Sequence, residues 1–354
     1  MNRRGWGISC AAALLLCGCA APQSEETVQT VDPPAGGGET TVVISSGEVS
    51  CEAPADDSEA RGQAERLVAA EPRFTADEAH FSFAVHDYET GVLCSYQPAD
   101  AYETASIIKV ATLATLLWQI EQSPDLMFDE NLQALAEQAI TVSDNDAQEE
   151  LWQFIGGEAG IREFLDAAGM TDTLTDGEGT WGLTMTTADD QLRLMDGIVN
   201  AEVISASDSD YLLGLMRQID TEQVWGVSEG APLGALVALK NGWLDDPSDE
   251  WVSDPSPEQP ADAPTATPGQ PDEDEDMTPL DEGEPYEDEP YEDDESYGEQ
   301  IDPNATWTNN SIGYVSGIDQ SYSLVILSDG NATDEQGRAV VGSVSETVTQ
   351  ALIG

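Results

Sequence analysis

Lysine and histidine are almost absent from this chain: its 354 residues include two of each, Lys109, Lys240, His80 and His86. Positive charge as a whole is scarce, with 11 Lys plus Arg against 70 Asp plus Glu and a net charge of -59. A nucleic-acid binder of the usual electrostatic kind needs clustered cations for its phosphate contacts, so that class is excluded. Two imidazoles are too few for a histidine cage around a metal and argue against a Ser/His/Asp triad, so no metal or other cofactor is expected. Both histidines read as strand residues. The chemistry must then fall to hydroxyls, carboxylates and the two lysine amines.

No apolar run reaches the roughly 20 residues needed to cross a bilayer. The longest early one, residues 8–16, follows Asn2-Arg3-Arg4 and precedes Cys17-Gly18-Cys19-Ala20. A basic start, a short apolar stretch and small residues at its end read as a signal peptide over residues 1–19. That end resembles a bacterial lipoprotein box. The resemblance implies that Cys19 is lipidated after cleavage and that the protein is extracytoplasmic, held at the membrane by a lipid anchor. Residues 20–57, with Pro33-Pro34 and Gly36-Gly37-Gly38, read as a flexible tether. Of the five cysteines, Cys51 and Cys94 remain for the mature domain, either paired as a disulfide or as two thiols.

Residues 245–303 hold 24 acidic residues, no Lys or Arg, and 11 of the 19 prolines, with Glu-Pro-Tyr-Glu-Asp repeated at Glu284 and Glu289. Such a segment cannot bury enough apolar surface to offset its chain entropy, which predicts a disordered insert whose partner the composition does not name. Periodic sequence resumes on both sides of it, so one domain over residues 58–354 is interrupted rather than two domains linked.

Alternating apolar residues over 81–86 and 92–96, around the turn Glu89-Thr90-Gly91, predict a hairpin. Helical spacing follows over 106–122, 130–139, 146–154, 160–168 and 187–199. Strand patterns return at 235–243, 311–315 and 322–328 before a helix near 336–352. The expected class is α+β, an antiparallel sheet of N- and C-terminal strands packed with a helical region.

Both lysines sit in small polar motifs. Lys109 follows Ser106 by three residues, one turn along a predicted helix, where an amine with a pKa lowered by burial can take a proton from a serine alcohol. Ser143-Asp144-Asn145 lies between two helices, and Lys240-Asn241-Gly242 lies on an apolar strand where an ammonium must point into a cleft. In this order Ser-x-x-Lys, Ser-Asp-Asn and Lys-x-Gly resemble the motifs of the penicillin-recognising serine hydrolases, particularly class A β-lactamases. The resemblance spans residues 60–354 apart from the insert and includes Thr104-Ala105-Ser106 and Ile155-Gly156-Gly157. It implies a fold like that of β-lactamases and transpeptidases, and a β-lactam or cell-wall peptide as substrate. Ser106 would be the acylated nucleophile, Lys109 its proton acceptor and Ser143 the proton shuttle. Asn145, Lys240, Asn241, Gly242 and Trp243 would bind substrate, with the N–H groups of Ser106 and Trp243 as the oxyanion hole.

Three departures bear on turnover and specificity. Asn241 stands where the family has Thr or Ser, and the stretch between Ser106 and Ser143 is short. The family's Glu-x-x-Leu-Asn, whose glutamate activates water, is missing; Glu178 in Thr175-Asp176-Gly177-Glu178-Gly179-Thr180-Trp181 is the candidate replacement. The expected activity is β-lactam hydrolysis of the kind that confers antibiotic resistance. The alternatives are a penicillin-binding or peptidase-type acyl-enzyme with slow turnover and a non-catalytic lipid-anchored binding protein.

Overall fold

An eight-stranded antiparallel sheet divides the protein into two apolar layers. The computed structural model describes residues 27–31, 41–74, 79–245, 306–318 and 320–354. The chain opens with β1 (Thr27–Val31), β2 (Thr41–Ser45) and β3 (Val49–Pro54), then α1 (Ser58–Ala69), started by the Asp57 carboxylate accepting from the N–H groups of Glu59 and Ala60, and the one-turn α2 (Glu71–Phe74). The predicted hairpin is β4 (His80–Asp87) and β5 (Val92–Tyr96). After the short β6 (Ala101–Glu103) and a 3-10 turn over Ala105–Ile107 comes a helical region: α3 (Ile108–Gln122), α4 (Glu130–Glu137), α5 (Asn145–Phe154) and α6 (Gly157–Ala168). It continues through β7 (Met185–Thr187), which pairs with β6, to α7 (Ala188–Val199) and α8 (Ala206–Met216). The chain closes with β8 (Leu236–Leu244), β9 (Trp307–Ser316), β10 (Ser321–Asn331) and α9 (Asp334–Ile353).

The strand order β1-β2-β3-β5-β4-β10-β9-β8 joins the two ends of the chain, because β4 pairs with β10 from Asp87↔Tyr322 to His80↔Asp329. Strand alternation then sorts the core. Val325 and Leu327 of β10 face the helical region, whereas Tyr322, Leu324 and Ile326 face α1 and α9. Among the described residues β8 is the outermost strand of the sheet, and its edge contacts the turn at Ala105–Ile107 and the helix α8.

Two sequence expectations change. Residues 41–57, read as part of a tether, form β2, β3 and the cap of α1. The glycines and prolines at 33–38 dominate the composition of that stretch, while Val42, Ile44, Val49, Cys51 and Ala53 alternate inward and are buried. The helix α8 was not anticipated. Cys51 and Cys94 lie opposite each other on β3 and β5 and are disulfide-bonded. The signal peptide, Cys19, the Pro/Gly stretch and the acidic insert beyond Asp245 lie outside the described residues.

Candidate active site

The three lysine and serine motifs meet where the β8 edge faces the start of α3. Ser106 is half-buried in the 3-10 turn that leads into α3, directly after Ala105, which adopts a left-handed φ of 47°. The turn is pinned from both sides: Thr184 O accepts from Thr104 N at 2.8 Å, and Asn310 Nδ2 of β9 donates to Glu103 O at 2.7 Å and Thr104 O at 3.2 Å. Gly242 of β8 presses against the same turn. A Cβ there would stand 2.8 Å from both Ser106 N and Thr104 O, so only glycine permits this approach.

Ser143 reaches the site by a second strained route. α4 widens into a π-helical turn over Gln138–Val142, and Ser143 then takes a left-handed φ of 61° before Asp144 caps α5 through Ala147 N at 2.7 Å. Of the four described non-glycine residues with positive φ, Ala105 and Ser143 both flank this site, the kind of stored backbone strain that concentrates at functional centres.

Both amines converge on Ser143. Lys109 Nζ donates to Ser143 O at 2.6 Å, Ser143 Oγ at 3.2 Å and Asn145 Oδ1 at 2.8 Å; Lys240 Nζ donates to Ser143 Oγ at 2.8 Å and Asn241 O at 2.8 Å. Each lysine is 0 % exposed. Burial pulls the Lys109 ammonium down to about 7, against an opposing pull from Asp144; burial, reinforced by the nearby Lys109, depresses Lys240 far below the ordinary lysine value. The Trp181 ring centroid lies 5.1 Å from Lys109 Nζ.

Ser106, Lys109, Ser143, Asn145, Lys240 and Gly242 are thus brought together as the motifs suggested. Among the described residues Lys109 bonds Ser143 and Asn145 rather than Ser106. Asn241 differs from expectation: it is 1 % exposed, and its Nδ2 donates to Gln223 O at 2.7 Å and Trp225 O at 3.2 Å. Strand alternation turns it to the opposite face from Lys240 and Gly242. Glu178 also differs. Asp176 accepts from the N–H groups of Glu178, Gly179 and Thr180, Glu158 holds Gly179 N, and the Glu178 side chain is left exposed at the loop tip. Sequence reasoning named Trp243 among the substrate-binding residues but assigned no role to Trp181, Trp225, Asn310 or Arg338. Buried asparagines on an apolar strand, as at Asn309-Asn310, were the available signal.

Residues 129–254 match the β-lactamase enzyme family, Beta-lactamase2. A curated relative, "Putative lipoprotein LppW" of Mycobacterium tuberculosis, is 30 % identical over 176 residues, which cover 47 % of this chain and 54 % of the relative. The chain therefore spans about half the length of the curated relatives it matches. Among solved structures, PBP-A superposes with a TM-score of 0.55 at 18 % identity, covering 81 % of this chain and 95 % of PBP-A. A class A β-lactamase from Bacteroides cellulosilyticus gives 0.58 at 16 % identity over 82 % and 99 % of the two chains.

Proposed function

From a chain that has the fold of the class A β-lactamases and PBP-A and matches the β-lactamase enzyme family over residues 129–254, we propose a serine acyl-transferase site in which Ser106 is acylated by β-lactams. The observation that carries this reading is the convergence of two buried amines on one serine hydroxyl beside Ser106. A hydroxyl has one O–H and two lone pairs. With Lys109 and Lys240 both donating to Ser143 Oγ, its own hydrogen is directed away from them, available to a leaving nitrogen. In the reaction, Ser106 Oγ attacks the lactam carbonyl while its proton passes to a neutral Lys109. The oxyanion is received by the N–H groups of Ser106 and Trp243. The C–N bond then breaks as Ser143 delivers a proton to nitrogen, re-supplied along the Lys109 and Lys240 contacts. A PBP-A mutant is known as an acyl-enzyme complex with penicillin G, which supports a β-lactam as the acyl donor here too.

Hydrolysis of that acyl-enzyme would need a base for water, and the exposure of Glu178 favours the slow, penicillin-binding type of turnover over an efficient β-lactamase. Cys19 and the name of the curated relative support a lipid-anchored, extracytoplasmic site of action. Intact-mass measurement with a penicillin, followed by peptide mapping, tests the reading. A one-equivalent adduct on Ser106 that outlasts the mixing time by hours is expected; a transient adduct with product indicates β-lactamase turnover, and no adduct overturns acylation. Glu178→Gln is expected to lose the adduct at the wild-type rate.

A further inference from the structure

Resting on that reading, we infer that Gln223 and Asn241 are positioning residues, which brace the Ser143 turn against β8 and so set the direction in which Ser143 delivers its proton. Both act through Ser143 and Lys240 rather than on the acyl donor.

The Ser143 turn does not hold itself. Its left-handed φ ends the helix ladder, and the last carbonyls of a helix need partners elsewhere. Three consecutive carbonyls find them: Thr141 O accepts from Asp220 N at 2.7 Å, Val142 O from Gln223 Nε2 at 3.0 Å and Ser143 O from Lys109 Nζ at 2.6 Å. Two of the three donors belong to one 3-10 turn over Thr221–Gln223 and its cap Asp220, and Gln223 is 81 residues from Val142 in the chain.

That turn is fastened in its own right to the sheet. Asn241 Nδ2 donates to Gln223 O at 2.7 Å and Trp225 O at 3.2 Å. Two residues on, Val227 N donates to Ser311 Oγ at 3.0 Å, and Ser311 is the register partner of Asn241. Two carbonyls need two donor hydrogens. The amide of asparagine has them, whereas the hydroxyl of the Thr or Ser that the β-lactamases carry here has one, so the departure at Asn241 fits the brace.

Asn241 also anchors the catalytic side of the same ring. Its backbone O accepts from Lys240 Nζ at 2.8 Å, and Lys240 Nζ donates to Ser143 Oγ at 2.8 Å. Ser143, Lys240, Asn241, Gln223 and Val142 therefore close a loop of contacts with the Ser143 hydroxyl at one corner. Opening the Gln223 side frees a serine from a backbone conformation it leaves readily, and its Oγ–H then loses its aim.

The test uses two acyl donors on the full chain, with adduct formation at Ser106 read by intact mass. In each, the bond from Ser106 Oγ to the carbonyl carbon forms and the Ser106 proton goes to Lys109. With a penicillin the C–N bond breaks and the nitrogen must gain the Ser143 proton; with an S-phenyl thioester the C–S bond breaks and thiolate leaves without one. Gln223→Met, which keeps the side-chain length and removes the donor, and Asn241→Ala are each expected to slow the penicillin roughly three- to tenfold, the span of one hydrogen bond, and to leave the thioester within about twofold. The double variant should be no slower than the worse single, because either loss opens the same ring. Amide hydrogen exchange over residues 138–145 reads the brace without any reaction and should quicken in both single variants. Equal losses for the two donors would make the contacts packing alone, and an unchanged penicillin rate would remove them from proton delivery; both overturn the inference. A wild-type chain that forms no adduct with either donor overturns the acylation reading; the brace then stands if exchange quickens in the variants and falls with it if exchange does not.

Discussion

Lys109→Met is expected to lower the rate of Ser106 acylation by about a thousandfold, within the range for loss of a positioned general base. Methionine keeps the apolar stem of lysine and removes the amine that must receive the Ser106 proton. Ser143 O and Asn145 Oδ1 lose a donor at about 1–3 kcal/mol each, while Ser143 Oγ keeps Lys240, so melting curves are read beside the rates. The pH profile separates the base from a structural prop. Lys109 accepts a proton only when neutral, and burial brings its pKa down to about 7, so wild-type acylation should climb as pH rises through about 7 and then level. The residual rate of the methionine variant should lack that limb; a variant that keeps it would assign the limb to another group. Stability carries the same signature with a definite sign. The folded state holds fewer protons on Lys109 than the unfolded chain between about 7 and the ordinary lysine value, so wild-type stability rises with pH across that window. Melting temperatures of Lys109→Met should rise less steeply there.

How much of this was legible in the sequence depends on what each residue answers to. The sheet of N- and C-terminal strands and most helices follow from period-2 and period-3.6 patterns over residues 81–122 and 311–352, because those elements bury one face each. The lysine motifs were legible for a related reason: an amine on an apolar strand has no structural use, so its presence marks a cleft. What sequence could not give was side-chain direction. Asn241 and Gly242 are neighbours, yet the pleat sends one toward Trp225 O and the other against Ser106 N. Glu178 lies near the expected base in sequence, but Asp176 gathers three loop N–H groups and fixes the tip outward. Arg338 is 95 residues from Trp243 in the chain and meets it only because α9 packs across β9 and β10. Strands β2 and β3 were hidden by averaging composition over a stretch whose first half is Pro- and Gly-rich.

Adding one methyl group at Gly242 should damage the site nearly as much as removing its base. In Gly242→Ala the new Cβ would meet Ser106 N at 2.8 Å, Thr104 O at 2.8 Å and Ile107 N at 2.9 Å, all backbone atoms. None can yield as a flexible side chain would. The turn is fixed by Thr184 O and by Asn310, and its first residue already holds a left-handed φ, so the displacement must fall partly on β8. Moving β8 outward shifts Lys240 from Ser143 Oγ and moves the Trp243 N–H away from the Ser106 N–H that would share the oxyanion. Loss of one oxyanion donor lowers acyl-transfer rates by about 10²–10³, and overpacking costs about 1–3 kcal/mol of stability. Gly214 of α8 provides the comparison, since a Cβ there meets nothing within 4 Å and its φ is ordinary. Gly214→Ala should acylate at the wild-type rate and gain up to about 1 kcal/mol of stability from the lower chain entropy of alanine. Acylation rates and melting curves of the two variants side by side decide the matter. A Gly242→Ala chain that acylates as fast as Gly214→Ala would show that the close approach of β8 to the Ser106 turn is packing without consequence for the reaction.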